Sequence, residues 1–381
     1  MVTQPHELGG FAVSSRGPRK SRTAIEKPAT ADELARLLHE AAEAGQAVFP
    51  VGGGKAAQMG DPPNRDGVEI RTTALDRVLE HSQADMVVSV EAGITLEALQ
   101  AQLDKGGQFI PLDPFNSPGH TIGGLLATGW TGPLRLRYGS PRDFLIGIRV
   151  ALPDGRLATA GGRVVKNVSG YDLMKLHYGA LGTLGVIVAA SFKVFPKALQ
   201  DITVEATHDS MDRAWAAAEQ ALAMPMAPAA LELFSSGRVL ARFLGSRDAT
   251  KRMVADLGWS EADGSLWTEH AKASPSPWAR IATPRPELRS VLNELQADQV
   301  WWASPGIGMA NWAVAGSPDE VRSIRALATA AGGSLVLMAG PDDFRHEVGA
   351  WGTPPAALHL MRRLRYAFDP NQVINPGRFV V

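Results

Sequence analysis

Glycine recurs at short intervals between residues 111 and 187, which contain Pro111-Leu-Asp-Pro-Phe115, Thr121-Ile-Gly-Gly124, Arg137-Tyr-Gly-Ser-Pro-Arg-Asp143, Gly161-Gly-Arg-Val-Val-Lys-Asn-Val-Ser-Gly-Tyr-Asp172 and Gly182-Thr-Leu-Gly-Val-Ile187. Glycine allows positive φ and a close approach of the backbone to a ligand. Consecutive N–H groups in such turns form concavities that hold phosphate oxygens. With the upstream turn Val51-Gly-Gly-Gly-Lys55, these segments indicate a long phosphate-bearing cofactor held at many points. The alternative is a loop-rich domain whose glycines serve only its turns.

The composition is typical of a soluble globular chain with a large core: 45% of the residues are hydrophobic and 20% are charged. A length of 381 residues predicts two domains, or one domain with a large insertion. The 38 Lys and Arg residues balance 39 Asp and Glu residues, so no net charge favours nucleic acid or an anionic membrane. No apolar run approaches the ~18 residues of a membrane span. No signal pattern points to export, so we expect a cytoplasmic protein.

The order of helices and strands changes along the chain. The capping box Thr30-Ala-Asp-Glu33 predicts a helix that Gly45 ends, and the strand 47–51 follows it into the triple glycine. This alternation indicates strands covered by helices. Beyond Phe195-Pro196 the pattern predicts a further unit of mixed strands and helices. We expect an α+β protein with four segments: an N-terminal arm (1–22), a first domain (23–199), an α+β cap-like domain (200–345) and a C-terminal segment (346–381) that returns to the first domain.

The glycine motifs resemble the FAD-binding domain of the vanillyl-alcohol oxidase superfamily, also called PCMH-type, which has two subdomains. The residues that carry the resemblance are Val51-Gly-Gly-Gly54, Thr121-Ile-Gly-Gly124, Tyr138-Gly139, Lys166-Asn-Val-Ser-Gly-Tyr-Asp-Leu173, Gly182-Thr-Leu-Gly-Val186 and Phe368-Asp-Pro-Asn-Gln-Val-Ile-Asn-Pro-Gly-Arg378. The resemblance covers residues 23–197 and the C-terminal tail. Within the superfamily, the chain is most similar to the E-type FAD-binding subunits of bacterial glycolate oxidases.

The resemblance implies FAD binding by Pro50, Val51, Gly52, Gly53, Gly54, Lys55, Ala56, Pro111, Leu112, Asp113, Thr121, Ile122, Gly123, Gly124, Ala127, Thr128, Gly129, Tyr138, Gly139, Arg142, Asp143, Lys166, Asn167, Val168, Gly170, Tyr171, Asp172, Gly182, Gly185, Val186, Ile187, Asn375 and Arg378. The loop 51–56 would hold the diphosphate, residues 182–187 would wrap the adenosine, and Asn375 and Arg378 would close over the ring. Segment 121–129 would run alongside the diphosphate and the ring. The alternative is that this segment is only the start of a helix that Thr121 caps.

Several of these residues have simpler alternatives. Lys55 and Arg378 could be solvated cations, and Arg142 with Asp143 could be a plain ion pair. Tyr171 and Tyr178 could be core aromatics. The segment Trp130-Thr-Gly-Pro133 departs from the family's usual Asn-Ala-Gly-Gly, which alters the expected space near the ring.

Covalent attachment of FAD is not expected. In superfamily members with covalent flavin, the glycine loop carries a histidine, whereas this chain has Lys55 and Ala56 there. The chain also contains no cysteine, which excludes attachment through sulfur. We therefore predict a noncovalent, dissociable FAD. Since iron–sulfur clusters are held mainly by cysteine thiolates, any cluster in the electron path must lie on another chain.

The sequence assigns no catalytic residue and no metal site. Catalytic relatives carry a Gly-Asp-Gly-Asn-Leu-His type signature, which is absent here. His120 and His177 are structural residues or candidate bases. Four arginines could hold a carboxylate or form a solvated face, namely Arg345, Arg362, Arg363 and Arg365. Three of the nine tryptophans, Trp301, Trp302 and Trp312, could mark a partner surface or belong to the core.

The resemblance implies an FAD-binding subunit of a glycolate oxidase complex, which supports oxidation of glycolate to glyoxylate. The implied partners are a paralogous flavin subunit of D type and an iron–sulfur subunit of F type, and contact with the membrane would occur only through them. Two alternatives are a self-sufficient FAD-dependent oxidoreductase acting on a 2-hydroxyacid or alcohol and a non-catalytic scaffold that keeps the flavin fold. The absent signature favours the first hypothesis, and the intact glycine loops disfavour the scaffold.

Overall fold

The computed structural model describes residues 22–162 and 172–381, and β-sheets of three, five, eight and two strands organise them. The prediction of an α+β protein is confirmed. The boundaries 199/200 and 345/346 between the expected domains stay predictions. Among the described residues, no helix combines the length and apolar character needed to cross a bilayer.

The first sheet is parallel and has the order β1-β3-β2. Its strands are β1 (Arg22–Glu26), β2 (Ala47–Val51) and β3 (Gly67–Arg71). Helix α1 (Ala31–Glu43) follows the predicted capping box, because the Thr30 hydroxyl accepts a hydrogen bond from the Glu33 N–H at 3.1 Å. Its leucines at 34 and 38 are fully buried against the sheet. Strand β2 leads directly into the glycine loop.

The second sheet is antiparallel and has the order β4-β5-β9-β7-β8. Its strands are β4 (Val78–Ser82), β5 (Val87–Glu91), β7 (Leu145–Ala151), β8 (Leu157–Gly161) and β9 (Val186–Lys193). Its associated helices are α2 (Leu96–Asp104), α3 (Ile122–Thr128), α4 (Arg135–Tyr138), α5 (Pro141–Phe144) and α6 (Met174–His177). Strand β6 (Gln108–Phe109) pairs separately with β10 (Phe195–Pro196).

The third sheet is antiparallel, with the order β14-β11-β13-β12-β16-β17-β15-β18. Its strands are β11 (Gln200–Thr207), β12 (Ala230–Phe234), β13 (Arg238–Gly245), β14 (Ser260–Ala262), β15 (Trp278–Ala282), β16 (Val300–Ser304), β17 (Met309–Ala313) and β18 (Ser334–Ala339). The helices are α7 (Met211–Leu222), α8 (Arg247–Leu257), α9 (Ser265–Ala271), α10 (Leu288–Leu292), α11 (Pro318–Ala330) and α12 (Asp342–Val348), with 3₁₀ turns at Arg285–Glu287 and Pro305–Ile307.

An aromatic layer joins the second and third sheets. Trp130, which follows α3, lies 5.3 Å from Trp278 of β15, and Phe115 lies 5.4 Å from Trp302 of β16, measured between ring centroids. All four side chains are buried. Trp301 and Trp312 are buried as well, so the idea that the tryptophans form a partner surface is wrong for this cluster. The aromatic layer fixes the third sheet against the chain that follows α3.

The C-terminal tail folds back onto the first sheet after helix α13 (Leu358–Phe368). Ile374 forms a parallel bridge with Val48 of β2. The fully buried Asp369 shapes the turn, because its carboxylate accepts hydrogen bonds from the Val373 N–H at 3.0 Å and the Ile374 N–H at 2.8 Å. Arg365 donates to the Ile374 carbonyl at 2.7 Å. These contacts place the next residue beside the glycine loop.

Asp369→Ala should lower the free energy of unfolding by about 3 kcal/mol, because it leaves two buried N–H groups without an acceptor and a buried guanidinium without its carboxylate. Urea unfolding followed by circular dichroism measures this loss. The same substitution at the exposed Asp256 should change the free energy by less than about 0.5 kcal/mol. Equal effects at both positions would contradict the role of Asp369.

Candidate functional site

A cavity of about 90 Å³ lies where the loop after β2 meets α3 and the C-terminal tail. Thirteen of the residues that line it are in the predicted site: Pro50, Val51, Gly52, Gly53, Gly54, Lys55, Ala56, Thr121, Gly124, Ala127, Thr128, Asn375 and Arg378. The structure thus brings together three segments that are far apart in sequence. Their role toward a cofactor stays a prediction.

Two glycines of the loop are needed because the loop lies directly against the segment before α3. A Cβ atom at Gly52 would lie 2.0 Å from the Thr121 hydroxyl oxygen. A Cβ atom at Gly53 would lie 1.8 Å from the Gly119 carbonyl oxygen. Both distances are far below van der Waals contact. The close approach that these glycines permit is therefore between two parts of the chain.

Gly54 has a different reason to be glycine. Its φ is +72°, in the left-handed region, and a Cβ atom there would meet no atom within 4 Å. The residue turns the loop at the cavity wall, and the space beside it is open. A side chain at this position would be strained and would stand in that open space.

The loop supplies free hydrogen-bond donors. Among the described residues, the N–H groups of residues 52–56 have no acceptor within the protein. The first turn of α3 is different: the Ile122 N–H donates to Ile94 and the Gly123 N–H to Ala92, and the Gly124 N–H reaches the Thr121 hydroxyl at 3.3 Å. The helix start is therefore capped within the chain, and the loop is the better place for a diphosphate.

Asn375 of the C-terminal tail also lines the cavity, and its side-chain oxygen is a hydrogen-bond acceptor without a partner among the described residues. Its φ is +47°, its N–H donates to the Val48 carbonyl at 2.8 Å, and its amide NH₂ donates to the Leu181 carbonyl at 2.7 Å. The side-chain oxygen of Asn375 is buried and has no partner among the described residues. Buried acceptors are normally satisfied, so this oxygen suits an N–H or O–H group of a ligand.

Arg378 is a structural part of the same wall. It is half-buried, and its guanidinium donates to the carbonyl oxygens of Ala56 at 3.0 Å and Met59 at 2.7 Å. These bonds hold the end of the glycine loop against the tail. The alternative of a fully solvated C-terminal arginine is therefore wrong.

Three residues outside the predicted site also line the cavity, namely Ala57, His120 and Leu181. His120 is buried, and its Nε2 lies 2.7 Å from the Phe115 carbonyl oxygen. Burial lowers the pKa of His120, so the ring is neutral at pH 7. The feature of the sequence that could have revealed His120 as a cavity residue is its position directly before Thr121, which begins a predicted site segment. His177 packs on Phe368 instead, and burial lowers its pKa to about 4.

The other predicted residues do not line this cavity. Those that the structure describes are Pro111, Leu112, Asp113, Ile122, Gly123, Gly129, Tyr138, Gly139, Arg142, Asp143, Asp172, Gly182, Gly185, Val186 and Ile187. Lys166, Asn167, Val168, Gly170 and Tyr171 lie outside the described residues.

Several of these residues have local roles in the fold. Asp143 caps α5 by accepting from the Ser140 N–H at 2.6 Å, rather than pairing with the exposed Arg142. Asp113 accepts from the Leu134 N–H at 2.8 Å, and burial raises its pKa to about 8. Tyr138 packs edge-on against Phe109.

The four late arginines do not form one solvated face. Arg345 and Arg365 are buried and donate to backbone carbonyl oxygens, those of Gly340 and Ile374 respectively. Arg362 and Arg363 are exposed on α13. The prediction of a common carboxylate site or solvated face is therefore wrong for the two buried arginines.

Comparison with known proteins identifies the first part of the chain. Residues 23–170 match the FAD binding domain family. Glycolate oxidase subunit GlcE of Escherichia coli is 27% identical over 86% of this chain and 91% of its own length. Glycolate oxidase subunit GlcD of Bacillus subtilis is 25% identical over 93% of this chain and 88% of its own length. A D-lactate dehydrogenase of Archaeoglobus fulgidus is 32% identical over 61% of this chain and 52% of its own length.

A solved structure of alkyldihydroxyacetonephosphate synthase shares the fold, with a TM-score of 0.67 and 17% identity over 92% of this chain and 76% of that chain. The chain is an FAD-dependent oxidoreductase whose residues 23–170 match the FAD binding domain family. The predicted family resemblance and the predicted FAD are confirmed.

The groups in the cavity fit FAD. The free N–H groups of residues 52–56 suit the diphosphate, and the unsatisfied oxygen of Asn375 suits a donor on the cofactor. A volume of about 90 Å³ accommodates one segment of the cofactor rather than all of it. When bound, FAD supplies the electron acceptor, whereas the residues of the chain supply binding and orientation.

Gly54→Val should weaken FAD binding about tenfold or more, because the side chain would occupy the open space beside the loop. Fluorescence titration of the apoprotein with FAD measures the effect. Gly45 provides a matched control, since its φ is +62° and its surroundings are equally open, but it lies at the end of α1 away from the cavity. Gly45→Val should lower the free energy of unfolding by about as much as Gly54→Val does, and it should leave FAD affinity unchanged. Equal loss of FAD affinity in both variants would contradict the placement of FAD in this cavity.

Proposed function

We propose that this chain is the FAD-binding subunit of a glycolate oxidase type complex that oxidises glycolate to glyoxylate. The observation that carries the proposal is the similarity, over most of both chains, to two subunits named for glycolate oxidase. In this role FAD sits along the cavity between the glycine loop and Asn375. It receives or relays electrons that leave for a partner chain.

The composition supports electron transfer to another chain. The sequence contains no cysteine, so an iron–sulfur cluster in the electron path would be bound by a cysteine-rich partner. We propose a second flavin subunit of D type and an iron–sulfur subunit of F type as those partners. Any contact with a membrane would then be made by the partners.

Two other functions remain as alternatives. The similarity to a D-lactate dehydrogenase favours a self-sufficient FAD-dependent oxidoreductase that acts on a 2-hydroxyacid or related alcohol. A non-catalytic scaffold is the second alternative, and the N–H groups of the glycine loop that have no acceptor among the described residues disfavour it.

We expect FAD to be bound noncovalently. Neither Lys55 nor Ala56 in the glycine loop is a usual attachment residue, and the chain has no cysteine. Acid precipitation of the purified protein should therefore leave a yellow supernatant and a colourless pellet. A pellet that keeps its flavin absorbance after washing would contradict noncovalent binding.

The isolated chain should keep its flavin oxidised when glycolate is added without oxygen, and the co-purified complex should be reduced. Co-expression with the neighbouring genes, affinity capture through a tag on this chain and anaerobic absorbance at the flavin band provide the test. Recovery of two partners, one of them rich in cysteine, is the expected result. Rapid bleaching of the isolated monomer by glycolate would instead establish the self-sufficient enzyme.

A further inference from the structure

A second, smaller cavity lies beside the FAD cavity, between the segment after α3 and the third sheet. Polar groups from both sides line it, among them Thr131, Arg280, Ser304 and Asn311, with Trp130 as an aromatic wall. Thr128 lines the first cavity, and Thr131, three residues later, lines the second. The two cavities are therefore close together along this segment. The second cavity has a volume of about 10 Å³, which is room for one water-sized group.

Arg280 brings an uncompensated charge into this cavity. It is half-buried on β15, and no carboxylate among the described residues pairs with it. Two titratable groups act on it: a second cation, Arg135 of α4, and the hydroxyl of Tyr178, which opposes the effect of Arg135. Burial, with the charge of Arg135, lowers the pKa of Arg280 to about 10, so it still carries a full charge at pH 7.

Arg135 is equally short of an anionic partner. Its guanidinium donates to the thioether sulfur of Met309 at 3.4 Å, and thioether sulfur is a weak acceptor. A partly buried cation without a counter-charge is costly. An anion bound beside Arg280 in the cavity would offset that cost.

Thr131 gives an independent indication of a ligand. The residue is only 6% exposed, lines the cavity, and its hydroxyl oxygen has no partner among the described residues. Buried hydroxyl groups are normally hydrogen-bonded. The Thr131 hydroxyl can donate to a carboxylate oxygen, which complements the donors of Arg280.

We propose that Arg280 and Thr131 bind the carboxylate of a small monocarboxylic acid beside the proposed FAD site. The planar guanidinium group of Arg280 matches both oxygens of a carboxylate. The flexible side chain of Met309, which lines the cavity, can move aside to enlarge the space. This assignment rests on the proposed function, since it places a hydroxyacid or ketoacid next to the flavin.

The far wall disfavours a second carboxylate on the ligand. The Ser304 hydroxyl donates to Glu232, which is fully buried behind it. Glu232 also lies 3.4 Å from Nε2 of His270. The carboxylate of a dicarboxylic acid that reached this wall would meet the Glu232 side chain and find no free cation. The site therefore selects monocarboxylates such as glycolate and glyoxylate.

Titration of the FAD-loaded chain with glycolate and glyoxylate tests the proposal. The change in flavin absorbance and the rise in Tm should saturate, while the neutral analogue glycolamide should have no effect. Arg280→Gln should weaken carboxylate binding about ten- to a hundredfold, and Arg280→Lys should retain part of it. Arg137→Gln, an exposed arginine on the same helix as Arg135, is the control and should bind carboxylate normally.

FAD affinity is measured for the same variants by fluorescence. Unchanged carboxylate binding in Arg280→Gln would overturn the proposal, and so would a loss of FAD affinity with no separate effect on carboxylate. If Arg280→Gln does not fold, Thr131→Val gives the same test, because it removes the unpartnered hydroxyl that lines the cavity. Saturable binding by the isolated chain does not depend on turnover, so a complex that fails to oxidise glycolate would contradict the proposed function alone.

Discussion

The close approach of the loop after β2 to the Gly119–Thr121 segment is the constraint on which the proposed FAD site depends. Any side chain at Gly52 or Gly53 would overlap that segment, since Cβ atoms there would lie 2.0 and 1.8 Å from its oxygens. The contact aligns the loop with α3. The tail completes the wall, because Asp369 shapes its turn and Asn375 bonds to Val48 and Leu181. Three remote segments thus become one site.

Polar groups without hydrogen-bond partners among the described residues line both cavities. The first cavity offers free N–H groups and the unsatisfied Asn375 oxygen, which complement an anionic cofactor with its own donors. The second offers Arg280 and the unsatisfied Thr131 hydroxyl, which complement a small anion. Both arrangements cost stability in the free protein, and binding of a ligand would offset that cost. The aromatic layer keeps the two cavities adjacent by fixing the third sheet against the segment after α3.

A chain with the proposed carboxylate site need not be a complete enzyme. The second cavity contains no histidine among the described lining residues, and the neutral His120 lies in the first cavity with its ring nitrogen bonded to a backbone carbonyl. Binding a carboxylate and removing a proton from its hydroxyl group are separate tasks. Within a complex, this chain could therefore bind the substrate class without oxidising it alone.

The sequence by itself determined the fold class and the glycine loop, because glycine patterns, capping boxes and apolar periodicity are local properties of the chain. The FAD followed from the resemblance of the glycine motifs to a flavin-binding family. The α1 helix after Thr30 and the cavity-lining run from Pro50 to Ala56 follow from such patterns. Only the tertiary structure decided which partners these residues meet. It placed His120 and Leu181 beside the loop, buried Arg345 and Arg365 as structural donors, and brought Arg280 of β15 into one cavity with Thr131. A single sequence does not show that residues so far apart along the chain lie close together in space. Their contact depends on how the sheets pack and on where the C-terminal tail folds back.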